Sequence, residues 1–428
     1  MGTYGHIIKF ERIRQNIKQL QLAKDICTPA YLSKIESNSI VPSEEVRKKL
    51  FERLEINPTI STISEEEYFQ YVRVIYSEAI MQKDRVNIEI QLNKILQDYF
   101  VFYDSDKYLT YLLLVLRLKM LTNNKKYDTN TFIMLVSRFS GDFNTYQLFL
   151  FYSCLAYFHY YNKELDLSLE AIEKALIYHD LITVPEHETA DFYYGLGTIY
   201  LQNQKLMASL EYNDKALSYF NKEFLFFRAI ESNIIKAVAY KRSGNIDQAY
   251  ENLLLAEKIS LHHNSLENLS MIYLNIASIH NLKKNFQLSL EFYQKSIQVG
   301  HDFKSKLISI YSIVLENSTI KDFEEVLKWS NYGITLYEEN PLEEMKGMFY
   351  HFKCHISKNS GFENFESTVS ETIHHFVTTQ DYRNANKYAL LLANYFHNER
   401  KYKKATTYFS LANKYLAKKE NRKYIEDI

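Results

Sequence analysis

The side chains spaced to do chemistry in this sequence are hydrogen-bond donors and acceptors, not groups that make or break covalent bonds. In Pro29 to Glu36 (PAYLSKIE), Leu32 and Ile35 stand three apart and share one helical face, so Ala30, Ser33 and Lys34 turn outward and Tyr31 lies at the border. A small residue, a hydroxyl and an ammonium on one short helix suit the edges of bases and the phosphates beside them. Further on, Asn275 in YLNIASIHNLKKNF carries an amide that can donate to a carbonyl and accept from an N–H of the same peptide unit. Such a group grips a bound backbone of any sequence. No nucleotide-binding, zinc-protease or serine-hydrolase signature occurs: there is no GxxxxGK[ST], GxGxxG after a strand, HExxH or GxSxG. The pairs His262-His263 and His374-His375 would point about 100° apart on a helix and make poor joint ligands. Cys27, Cys154 and Cys354 are odd in number and scattered, which argues against a disulfide framework or a four-ligand zinc site. No catalytic residue, metal or cofactor is expected, and the protein is read as a non-enzyme.

The elements that must position these groups are helices. In 428 residues there are only 10 Gly and 5 Pro, too few for a turn-rich barrel or sandwich, while 46% hydrophobic content excludes a wholly disordered chain. The 36 Tyr and 27 Phe suit packed helical seams. Charge is balanced at 51 Lys and Arg against 52 Asp and Glu, so any contact with nucleic acid must be local. Residues 1–60 hold ten basic against seven acidic residues, a surplus of three cations. The N-terminus lacks the apolar core of a signal peptide, and the greasiest run, Tyr108 to Leu121, is broken by Arg117 and Lys119. A cytoplasmic protein without a membrane span is expected.

Residues 1–60 read as four or five short helices. The third starts at Thr28-Pro29, where a hydroxyl caps an orphan N–H and proline has none to offer. Ser43 caps the fourth, with Glu44 and Glu45 in its first turn and Val46, Leu50 and Leu54 on one face. Two short helices joined by a tight turn at Cys27 and Thr28 present the second to a major groove. LAKDICTPAYLSKIESNSIVPSEEV resembles the helix-turn-helix of the Xre/Cro class of bacterial and phage regulators, and among them the PlcR type with its IC, S-x-IES and PS elements. That resemblance implies a DNA-binding surface of Gln19, Thr28, Ala30, Tyr31, Ser33, Lys34 and Asn38, with Gln19 touching a phosphate and Ser33 and Lys34 facing the groove. Cys27 stands where many relatives have glycine, and Pro29 and Ala30 replace polar residues that often read bases.

Residues 61–428 form a repeat. A first-helix anchor recurs at Ala156, Gly197, Ala237, Ala277, Val314, Lys353 and Ala393, with separations of about 40 residues. Nine residues on stand Leu165, Leu206, Ile246, Phe286, Phe323, Phe362 and Tyr402; twelve on, Ser168, Ser209, Ala249, Ser289, Val326, Phe365 and Ala405. The pattern is similar to tetratricopeptide repeats, with the extra residues expected between one repeat's second helix and the next repeat's first. HEAT or armadillo repeats compete on period alone. Residues 64–145 are expected to add two degenerate helical pairs. The fold expected is therefore all-α, an Xre-type helix-turn-helix domain over 1–60 followed over 61–428 by a tetratricopeptide-like right-handed superhelix for sensing and oligomerisation.

Together the two parts resemble the PlcR/NprR-like family of Gram-positive quorum-sensing regulators. The resemblance implies a cytoplasmic homodimer that reads a near-palindromic operator in double-stranded DNA under control of a short signalling peptide held by first helices. On that placement the peptide-binding candidates are Asn275, Asn233, Tyr194, Thr198, Lys241, Ser278, Asn281 and Tyr311. Lys241 is placed to meet a peptide carboxylate or to stand as a solvated lysine, and residues 380–420 are a candidate dimer surface. A competing reading keeps the repeats as a scaffold or inhibitor that docks a protein such as a phosphorelay component; a third is a phage lysogeny regulator of the same architecture.

Overall fold

The computed structural model describes residues 4–56, 63–98, 100–122, 124–300, 303–361 and 364–419. The described residues form helices and turns with no strand. The expected boundary at 60/61 and the repeat position Phe362 lie outside them.

Four short helices open the chain: α1 (Gly5–Arg14), α2 (Gln19–Ala23), α3 (Pro29–Glu36) and α4 (Glu44–Arg53). Their ends follow the sequence signals. Thr28 Oγ1 accepts the Tyr31 N–H at 3.2 Å with Pro29 at the first helical position, and Ser43 Oγ accepts from Val46. Four more helices follow, α5 (Glu65–Gln82), α6 (Arg85–Asp98), α7 (Ser105–Thr122) and α8 (Thr129–Ser137). Seven pairs then repeat: α9 (Thr145–Tyr161) with α10 (Leu165–His179), α11 (Glu186–Gln202) with α12 (Leu206–Lys222), α13 (Phe226–Arg242) with α14 (Ile246–His262), α15 (Leu266–Leu282) with α16 (Phe286–Val299), α17 (Phe303–Ile320) with α18 (Phe323–Glu339), α19 (Lys346–Asn359) with α20 (Phe365–Thr378), and α21 (Tyr382–Asn398) with α22 (Tyr402–Lys419). By contact the chain divides into two compact units, 1–252 and 253–428.

The repeat anchors have a physical reason. In three of the repeats the residue twelve positions on is a serine whose hydroxyl donates to the anchor's carbonyl: Ser168 to Ala156 at 2.9 Å, Ser209 to Gly197 at 2.7 Å and Ser289 to Ala277 at 3.0 Å. A small anchor lets the second helix come that close. At Gly197 an added Cβ would overlap the Asn213 amide, so nothing larger than glycine fits without a shift. Two details differ from the sequence expectation. In the sixth repeat the buried position is Cys354, whose Sγ lies 3.1 Å from Thr372 Oγ1, while Lys353 is half-exposed. The extra residues of each repeat also mostly lengthen helices: residues 223–225 alone join α12 to α13, and 263–265 join α14 to α15. Such turns close through single left-handed residues, Lys163, Gln204, Phe224, Asn264 and Lys284 among them, and Gly244 and Gly361 supply the residue that adopts this conformation freely.

Candidate nucleic-acid and ligand interfaces

The helix-turn-helix is held by one buried carboxylate. Glu36, at the end of α3, receives Arg12 Nε at 2.6 Å, Arg12 Nη2 at 2.9 Å and Gln19 Nε2 at 2.7 Å, so α1, α2 and α3 meet at a single side chain. Leu32 and Ile35 are fully buried below it. Arg53 on α4 donates to the Leu22 carbonyl at 3.1 Å and to that of Lys24, fixing the turn that precedes α3. With these ties made, Ala30, Ser33 and Lys34 are exposed side by side on α3, and Thr28 and half-exposed Tyr31 flank them. Gln19 gives its amide N–H to Glu36 and is part of the clasp. Asn38 has both ends of its amide engaged: Oδ1 accepts the Gly5 N–H at 2.9 Å, and Nδ2 donates to Ser105 Oγ at 2.8 Å on α7.

That last bond belongs to an interface between the first four helices and α7 and α8. Phe10 lies edge-on to Tyr108 and Phe132, with ring centroids 6.2 and 5.9 Å apart, and Tyr4 meets Tyr103 at 5.5 Å. Lys9 Nζ sits 4.6 Å above the Phe139 ring and 3.4 Å from Asp142, which also lies 3.5 Å from His6 Nε2. Burial and the neighbouring Lys9 charge depress the His6 pKa. The α3 surface is left open while α1 and the residues after α3 are docked.

The peptide-binding candidates fall in both compact units. In residues 1–252, Tyr194 and Thr198 stand one turn apart on α11, and the Thr198 hydroxyl donates to the Tyr194 carbonyl at 2.9 Å. Asn233 and Lys241 are on α13. Asn233 is buried and donates to the Ala229 carbonyl at 2.8 Å; Lys241 is half-buried, its pKa lowered by burial and by Arg242. In residues 253–428, Asn275, Ser278 and Asn281 lie on α15 and Tyr311 on α17. The Asn275 amide donates to the Met271 carbonyl at 2.9 Å, and Asn281 donates to buried Glu316. The second oxygen of Glu316 lacks a hydrogen-bond partner, and burial raises its pKa.

Tyr311 stacks on His351 at 4.7 Å and accepts a hydrogen bond from Lys387 Nζ at 3.1 Å. Burial, with Lys387 nearby, pushes His351 down to about 3 and His355 to about 4. Both rings take up protons near pH 6.5 in the unfolded chain but stay neutral in the fold. Stability from this region is therefore complete above pH 6.5 and falls as the pH drops below it. Between pH 6.5 and 5, His351 alone should remove about 2 kcal/mol. Denaturant unfolding of the full chain at pH 7 and pH 5, with His351→Phe as reference, checks this. The variant should lose less on acidification by that amount, and equal losses would mean that the His351 ring is hydrated.

Sequence reasoning missed a buried charge cluster in the first unit. Arg117 on α7 and Arg228 on α13 both pair with Asp191 on α11, at 3.0 and 2.9 Å, and Arg228 also donates to the Ile80 carbonyl at 2.8 Å. Burial alone would raise the Asp191 pKa, but the two guanidinium groups hold it below the usual carboxylate range. A visible signal existed: Arg117 interrupts the apolar run Tyr108 to Leu121 at a position that proves 5% exposed. Among the described residues no group of three His, Cys, Asp or Glu is placed to hold a metal, and no helix is long and apolar enough to cross a membrane.

Residues 8–60 match the family model HTH_3, described as helix-turn-helix. Over 408 residues the chain is 24% identical to the transcriptional activator NprA of Geobacillus stearothermophilus, spanning 92% of this chain and 98% of that protein. Among solved structures, the apo form of the quorum sensor NprR from B. thuringiensis superposes with a TM-score of 0.66 at 16% identity, covering 82% of this chain and all of that one. NprR in complex with its cognate peptide NprX gives 0.59 at 16% identity over 83% of this chain and 99% of that one. A Rap protein complexed with Competence and Sporulation Factor gives 0.64 at 14% identity over 82% of this chain and 99% of that one. The chain is thus similar to these regulators, with an N-terminal helix-turn-helix and, among the described residues, an all-helical repeat fold shared with NprR and Rap proteins.

Proposed function

We propose that this PlcR/NprR-like chain is a cytoplasmic, non-enzymatic transcription regulator that binds DNA through α3 and is controlled by a short signalling peptide held on the first helices of its repeats. The observation that carries the reading is the open surface of Ala30, Ser33 and Lys34 on a capped and clasped helix, in a chain that is similar to a transcriptional activator over 92% of its length. A two-fold dimer would set two α3 helices one DNA turn, about 34 Å, apart on a near-palindromic operator. The peptide acts by binding one protomer arrangement better than another. A second reading, in which the repeats dock a protein partner, uses the same helical-repeat fold, shared with a Rap protein.

Genomic DNA fragments retained by the purified protein across a salt series, then sequenced, test the proposal. One near-palindromic motif is expected, lost in Ser33→Ala/Lys34→Ala, whereas retention that rests on phosphates alone fades steeply with salt and carries no motif. Recovery of no motif, with or without conditioned medium as a peptide source, moves the protein-docking reading ahead. For the ligand face, Asn275→Ala should weaken a cognate peptide by about 1 to 3 kcal/mol, the cost of leaving a backbone amide unpaired. Unchanged affinity by calorimetry would remove Asn275 from the site.

A further inference from the structure

The last helix breaks the charge pattern of the repeat. The second helices α10, α12, α14, α16, α18 and α20 each carry at least as many carboxylates as lysines and arginines. The seventh, α22, holds Lys403, Lys404, Lys414, Lys418 and Lys419 and no carboxylate. It packs on α21 through buried Ala405 and Ala412, and Asn386 Nδ2 donates to the Ala412 carbonyl at 2.7 Å. At 100° per residue the opposite side carries Lys403, Thr407, Ser410, Lys414 and Lys418 within an arc of about 80°, and all five are exposed. Lys404 lies off that stripe and pairs with Glu366 at 2.8 Å, whereas Lys403 and Lys414 form no ion pair among the described residues. Lys418 Nζ sits 5.0 Å from the Tyr382 ring centroid. A shallow depression lined in part by Lys403, Thr407 and Ser410 opens on the same side.

A helix that ends a repeat array needs a polar outer face, but solubility alone is served by mixed signs. Other second helices show that arrangement: Glu170 pairs with Lys174 on α10 and Glu211 with Lys215 on α12, both at 2.7 Å. A face of one sign without internal partners builds a local positive potential in a chain whose charge is otherwise balanced, and that suits a polyanion. Its make-up also says which kind. Protein interfaces are anchored by buried aromatic side chains and are poor in lysine, and this stripe has lysines and no ring. A second copy meeting it across a two-fold axis would set the same lysines against each other. Thr407 and Ser410 between the lysines are short and polar, the Thr407 hydroxyl donating to the Lys403 carbonyl at 3.1 Å, so a phosphate backbone meets no bulk there.

We propose that the outer face of α22 is a sequence-independent contact for the phosphate backbone of duplex DNA, made by Lys403, Lys414 and Lys418. It is additional to α3 and does not depend on α3 reading a motif.

The test measures binding of the full-length protein to a fluorescent duplex of scrambled sequence across a salt series, in the Ser33→Ala/Lys34→Ala background so that α22 is read apart from α3. That protein should still bind, with an affinity that falls steeply as salt rises. Adding Lys403→Gln/Lys414→Gln/Lys418→Gln should weaken binding about tenfold or more at 0.1 M salt and make the slope of log affinity against log salt shallower by about 2 to 3, one phosphate per lysine. The corresponding triple arginine variant keeps the charge and should keep the slope, which separates lost contacts from misfolding. No duplex binding in the background protein, or an unchanged slope in the triple glutamine variant, would overturn the proposal. So would a triple glutamine variant that binds the duplex normally but loses retention on immobilised polyglutamate, which would assign the face to an acidic protein. Motif recovery through α3 stands or falls separately from all of these outcomes.

Discussion

Asp191→Ala should lower stability by on the order of 3–5 kcal/mol, because it strands Arg117 and Arg228 in the interior without the carboxylate that both contact. For a unit of about 250 residues that corresponds to a fall of about 10 °C in the midpoint of thermal unfolding. Circular dichroism or calorimetry of the full chain reads it. Asp191→Asn keeps the shape and an acceptor but loses the charge, and it should fall nearly as far. The loss comes from uncompensated cations, not from a missing attraction, so Asp191→Leu combined with Arg117→Met and Arg228→Met should recover much of it. A drop below about 1 kcal/mol in Asp191→Ala would show that water already reaches the two guanidinium groups.

Glu36→Ala should have the second largest effect, confined to the first four helices. One carboxylate there holds Arg12 from α1 and Gln19 from α2 against the end of α3. Its removal leaves Arg12 facing a buried gap and should cost about 3 kcal/mol locally, a large share of what four short helices have in hand. Hydrogen exchange should quicken across α1 to α3 and remain unchanged in α15 to α22. Specific DNA retention should vanish with it, although Ser33 and Lys34 are untouched. Glu36→Gln, which still accepts one hydrogen bond, should lie between the two. Equal exchange in Glu36→Ala and the natural protein would mean that Leu32, Ile35 and the docking on α7 hold α3 in place by themselves.

The two predictions differ in how much of their basis could be read from the sequence. The outward face of α3 was legible because everything that sets it is local: Thr28 caps it, Pro29 starts it, and the three-residue spacing of Leu32 and Ile35 turns Ser33 and Lys34 to solvent. The repeat was legible for the same reason, since a small anchor and a serine twelve residues on belong to one helical hairpin. Where the local pattern was weak the register slipped, and Cys354 instead of Lys353 went inward.

Side chains whose partners are far away were a different matter. Asn38 was expected toward DNA, yet its amide is shared between Gly5 and Ser105, 33 and 67 residues distant. Gln19 was expected at a phosphate and gives its amide to Glu36, 17 residues on. Arg117 announced itself as a charge in an apolar run, but Asp191 is 74 residues later, and Arg228 reaches back 148 residues to Ile80. Nothing in those stretches taken singly says that they meet. The sequence by itself determined the helices, their caps, the repeat and the outward face of α3, because a helix is set by neighbours within about four residues. Only the tertiary structure decided where the first four helices dock and which buried charges share a partner, because those choices are made by helix faces packing across long stretches of chain, where an unmatched charge is too unfavourable to leave alone.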